Sequence, residues 1–114
     1  MITLPDEKWE ELFDAVNATV CKAIDDLPPE VQAKADQIAC VVDKYTTRPE
    51  WKDAIILGCY WQMTNTIMIF VGQIYEQCNQ DLEGTMASVR QVYYHELAHA
   101  IGDLAEYEVK ELGL

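Results

Sequence analysis

Basic residues are scarce in this 114-residue chain. Eight Lys and Arg stand against 20 Asp and Glu, for a formal net charge of −12. That balance repels nucleic-acid backbones and anionic membrane surfaces, so neither is an expected partner. It suits cationic peptides or metal ions. No stretch approaches eighteen consecutive apolar residues, which argues against a transmembrane helix. Residues Met1 to Lys8 contain no basic segment followed by an apolar one, so a secretory signal is not expected and the cytoplasm is the expected compartment. No two cysteines form a C-x-x-C pair, which removes support for a zinc knuckle or a thioredoxin-type site. Cys21, Cys40, Cys59 and Cys78 are evenly spaced, but their neighbours share nothing, so no internal repeat is inferred. They are expected to be reduced and mostly buried, as small hydrophobes. Histidine is scarce as well: the chain has two.

What remains is rich in core-forming residues. Half of the chain is hydrophobic, including three Trp and six Tyr, so a folded core is expected and disorder is not. The length suits a single domain over residues 1–114.

Apolar residues at helical spacing (Trp9, Leu12, Phe13, Val16, Val20, Ala23, Ile24) predict an amphipathic helix over 4–26. Pro28-Pro29 ends it, and Pro29 suits the first turn of a short helix over 30–35. The β-branched run Ile38–Val42 reads as a strand buried on both faces. Residues 43–52 read as a loop. A second strand is expected within 54–61, where Gly58 marks a bulge or a close backbone approach. A polar turn at 63–66 leads to a third strand, Ile67–Val71, in an antiparallel hairpin that Gly72 ends. One or two helical turns follow over 73–78. Asn79 or Asp81 can then cap a helix over Leu82–Ile101. Its apolar stripe is Leu82, Met86, Val89, Tyr93, Leu97, Ala100 and Ile101, and Gly102 sits where a helix-ending glycine belongs. The fold class is therefore α+β: a small mixed sheet packed with the N-terminal helix and this last helix.

Both histidines fall on the last helix, in His95-Glu96-Leu97-Ala98-His99-Ala100-Ile101-Gly102. Residues four apart share a helix face, so His95 and His99 can hold one metal ion, and Glu96 can reach a water beside it. The pair lies roughly 120–160° round the helix from the centre of the apolar stripe. Histidines used only for packing would sit in the stripe. Imidazole and carboxylate donors suit Zn2+, which needs a third protein ligand and keeps a position for water. Downstream candidates are Asp103, Glu106, Glu108 and Glu111. Asp103 follows the glycine too closely to fold back, so Glu106 is best placed and Glu108 second. The chemistry this set supports is hydrolysis of a peptide bond, with Glu96 as general base. Tyr60, Tyr94 and Tyr107 are candidates for a second electrophile. The runner-up reading is a zinc-binding but catalytically silent peptide-binding or regulatory module. A third is an acidic interaction protein in which the motif is vestigial.

Several short segments, in order, carry a family resemblance. They are Asp26-Leu-Pro-Pro-Glu-Val31, Ala39-Cys-Val-Val-Asp43, Leu57-Gly-Cys-Tyr60, Ile67-Met-Ile-Phe70, Ile74-Tyr-Glu-Gln-Cys78, His95-Glu-Leu-Ala-His99 with Gly102, and Glu111-Leu-Gly113. From about Phe13 onward the chain resembles the small bacterial zincin-like metallopeptidases, whose fold is a minimal relative of the matrix metalloproteases. The resemblance implies a zinc peptidase acting on a peptide or protein substrate. It also implies an Asp ligand three residues after the glycine, where this chain has Ala105. Counted back from Glu111-Leu-Gly113, Glu106 takes that place, one position later. An extended peptide lying along a sheet edge above the metal is the expected mode of substrate binding.

Overall fold

The computed structural model describes residues 2–46 and 55–102. In chain order these form α1 (Asp6–Asp25), α2 (Pro29–Ala35), β1 (Ala39–Asp43), β2 (Gly58–Trp61), β3 (Thr66–Phe70), α3 (Val71–Gln77) and α4 (Leu82–Gly102). The architecture is α+β, as the patterning predicts.

Helix α1 starts just after Pro5, with Asp6 and Glu7 in its first turn, where acidic side chains face the helix's positive end. Trp9, Leu12, Val16, Val20 and Ala23 are buried along one stripe, and Phe13 and Ile24 pack at its margins. Pro29 opens α2 at the position where a missing N–H costs nothing.

The three strands lie in the order β1-β3-β2, so β3 is central. It pairs parallel with β1 (Cys40 opposite Ile67, Val42 opposite Ile69) and antiparallel with β2 (Tyr60 opposite Ile67, Gly58 opposite Ile69). Ile67 and Ile69 are fully buried, facing the helices. β2 and β3 form the expected hairpin, in which Asn65 takes a left-handed conformation at φ 51°.

Two expectations fail here. The β1 run was expected to be covered on both faces, yet β1 is an edge strand and Val41 is 45% exposed. Among the described residues the helices cover one face of this small sheet, and an apolar run alone does not say where in a sheet a strand lies. The second concerns Gly72. It does not end β3: the strand stops at Phe70, and Gly72 lies inside α3. It is glycine because a side chain there would collide with the Lys44 carbonyl and the rings of Tyr45 and Trp9.

Asp81 caps α4. Its carboxylate accepts the Gly84 N–H at 2.8 Å, and its carbonyl accepts the Thr85 N–H at 2.9 Å. Asp81→Ala is expected to lower stability by about 1 kcal/mol, measured by urea unfolding, while leaving the folded-state helix content unchanged.

The buried side of α4 is broader than its predicted stripe. Val89, Tyr93 and Leu97 are buried as expected, but Thr85, Tyr94 and Ala98 join them, while Leu82 is exposed. Thr85 is compatible with the core because its hydroxyl donates to the Asp81 carbonyl at 2.6 Å. Tyr94 donates to the Ala23 carbonyl at 2.6 Å, and Arg90 pairs with Asp26 at 3.0 Å. These contacts fix α4 against the end of α1, while its other flank meets β2 and β3. Helix α4 continues through Gly102; the turn and the acidic tail expected beyond it lie outside the described residues.

Two groups in this core tie stability to alkaline pH. Burial pushes the Cys40 thiol up to about 11 from 9.0, with a smaller contribution from Cys21 nearby. Burial also drives the Tyr93 phenol well above its ordinary range. Both groups are neutral in the folded core. The thiol's contribution is complete below its unfolded pKa and is lost as pH rises from about 9 through 11, and the phenol's begins to be lost only above its ordinary value of 10.0. The melting temperature is expected to fall across that window, and Cys40→Ala is expected to flatten the fall.

Candidate metal centre

His95, Glu96 and His99 project from the fourth and fifth turns of α4, on the flank that faces β2. They lie off the buried stripe, as their spacing predicts, and all three are half-buried. The helix repeat brings the Nε2 atoms of His95 and His99 to 3.1 Å, with the rings at 75° and their centroids 4.8 Å apart. One ligand atom from each of His95, Glu96 and His99 can be chosen so that all lie within 4.8 Å of one another.

The donor set can be tested against zinc. Two nitrogens bound to one tetrahedral zinc, each at about 2.05 Å, lie about 3.3 Å apart. The observed 3.1 Å needs only a small opening. The same separation also suits an imidazole–imidazole hydrogen bond, which zinc binding would replace. The residues fit a zinc ion as two nitrogen ligands with a carboxylate beside them. Glu106 was predicted as the third ligand. It lies outside the described residues, as do Asp103, Glu108 and Glu111.

Two hollows flank the histidines. One, of about 520 Å³, is walled by Ile55, Ile56, Leu57 and Val92 and ends on His95 and Glu96. The other, of about 530 Å³, is lined by Tyr60, Gln62, Ile101 and Gly102 and ends on His99. Gly58 and Tyr60, two residues apart on β2, each border one hollow. The strand therefore runs beside both, with the histidines between them.

The aromatic candidates separate. The Tyr94 hydroxyl is buried and committed to the Ala23 carbonyl, so it is not available to a substrate. Tyr60 lines the hollow that ends on His99, and its hydroxyl donates to Asn65 Oδ1 at 2.7 Å. Tyr107 lies outside the described residues.

All four cysteines are free thiols. Cys21 is exposed, contrary to the expectation of burial, because it lies on the solvent side of α1. Cys40, Cys59 and Cys78 are half-buried. None joins a group of three potential metal ligands among the described residues.

The residues around the two histidines carry little signal in the sequence. Ile55, Ile56 and Val92 shape the first hollow, but nothing in their local pattern marks them as site residues. Gly58 was marked by its position in a strand, and the close approach that it implied is present: a Cβ there would lie 2.5 Å from Val92 Cγ1 and 2.9 Å from the Met68 carbonyl oxygen.

Comparison of the chain with family models, curated proteins and solved structures finds no match. Among the described residues no helix is long and apolar enough to cross a membrane.

Proposed function

We propose that this chain is a zinc-dependent peptidase of zincin-like type. The observation that carries the reading is the convergence of His95 and His99 Nε2 to 3.1 Å, with the Glu96 carboxylate beside them, at a point between two hollows. His95 and His99 would hold the ion, and Glu106 is the proposed third ligand. When bound, zinc supplies Lewis acidity towards water and towards a carbonyl oxygen.

The chain's own residues supply the rest. Glu96 Oε accepts a proton as water adds to the scissile carbonyl and delivers it to the departing amide nitrogen. An extended peptide running beside β2 would place residues on either side of the scissile bond in the two hollows. The walls of the first favour an apolar side chain. A net charge of −12 favours neutral or cationic peptides over acidic ones.

The test is cleavage of a randomised, quenched-fluorescence peptide mixture by zinc-loaded protein. Cleavage that stops on chelation and returns with added zinc is the expected result. Stoichiometric zinc with no cleavage would instead indicate the silent binding module.

A further inference from the structure

Three elements meet at Gly58. The place its Cβ would take lies 2.5 Å from Val92 Cγ1, 2.9 Å from the Met68 carbonyl oxygen and 3.8 Å from Glu96 Cγ. Val92 and Glu96 are one turn apart on α4, so the bare Cα of Gly58 rests in the notch between their side chains. The Met68 carbonyl belongs to the central strand and is held by the sheet, so it cannot yield as a side-chain tip can. An added methyl group must therefore act on the α4 side. It displaces Val92, or it drives β2 and α4 apart, and both alter the wall along which the Glu96 side chain lies. Neither His95 nor His99 supplies one of the three atoms nearest this position.

We propose that Gly58 is a positioning residue for Glu96. By letting the β2 backbone lie in the Val92–Glu96 notch, it keeps the Glu96 carboxylate turned towards the two imidazoles and keeps the first hollow open beside it. The assignment rests on the reading of Glu96 as general base. It gives β2 a role in orienting the base as well as in lining the cleft.

The test needs no substrate. Zinc affinity is measured by chelator competition, and binding of acetohydroxamate to the zinc-loaded protein is measured by calorimetry. The hydroxamate meets the metal and the base together. Gly58→Ala is expected to leave zinc affinity within about twofold and to weaken hydroxamate by about tenfold, the scale found when groups that orient metal-site residues are altered. Val92→Ile presses on the same contact from α4 while keeping the glycine, and should show the same pattern at smaller amplitude. It decides the matter alone if Gly58→Ala does not fold. Unchanged hydroxamate affinity, or joint loss of zinc and hydroxamate, would overturn the positioning role. Wild-type protein that binds no zinc would instead overturn the proposed function, before Gly58 is at issue.

Discussion

Replacing Glu96 with glutamine is expected to lower peptide cleavage by about 10³-fold while leaving zinc bound. General acid–base catalysis by a positioned side chain contributes roughly 10²–10⁴-fold, and this reading gives Glu96 both proton transfers. Glutamine keeps the size and shape of the side chain, so neither the fold nor the imidazoles should move. The loss should appear mainly in kcat, because the carboxylate acts on the reacting atoms and not on the peptide's flanking residues. Steady-state kinetics on one cleaved peptide, alongside metal analysis of both proteins, checks this. Equal cleavage by the two proteins would remove Glu96 from the mechanism.

The second large effect concerns stability. A ligand that binds only the folded chain stabilises it by about 2.7 kcal/mol at a hundredfold excess over its dissociation constant. For a domain of this size that corresponds to a rise of roughly 10 °C in melting temperature. Zinc should produce a shift of that order in the wild type, somewhat reduced because the unfolded chain's four cysteines also bind zinc. His95→Ala and His99→Ala should each abolish it, since one imidazole and a carboxylate make a poor site. Without zinc, the same variants should melt close to the wild type, because both rings are half-buried and lie off the core face of α4. Calorimetry with and without zinc reads both quantities. A shift that survives in the variants would place the ion elsewhere, on thiols or on the acidic surface.

The histidine pair was more legible in the sequence than the sheet was. Helical spacing depends on local geometry, so four residues on α4 were enough to bring His95 and His99 together. The stripe of α1 could be read for the same reason. Strand position depends on partners far along the chain. Nothing within Ala39–Asp43 says that it lies at an edge beside the central β3, and nothing within Ile67–Val71 says that Val71 already belongs to a helix. Thr85 and Tyr94 lie outside the predicted stripe yet are buried, because each is a polar side chain made compatible with the core by one hydrogen bond, to Asp81 and to Ala23. Gly58 stood between these cases. A glycine in a strand signals close approach, but which side chains it approaches follows only from how β2 crosses α4.

The histidine pair also links stability to the proposed chemistry. Tyr94 and Arg90 anchor α4 to α1, and the fully buried Tyr93 and Leu97 set its rotation about its own axis. That rotation decides which flank of α4 meets β2. The core therefore orients the two imidazoles without including them, and core and candidate site can be altered separately.

In the proposed site His95 and His99 share one zinc ion beside Glu96. Anomalous diffraction at the zinc edge from zinc-loaded crystals tests it most directly. One strong peak is expected about 2.0–2.1 Å from both Nε2 atoms, with a tail carboxylate completing the protein ligands. No peak between the imidazoles, or a peak only at thiols or surface carboxylates, would contradict it.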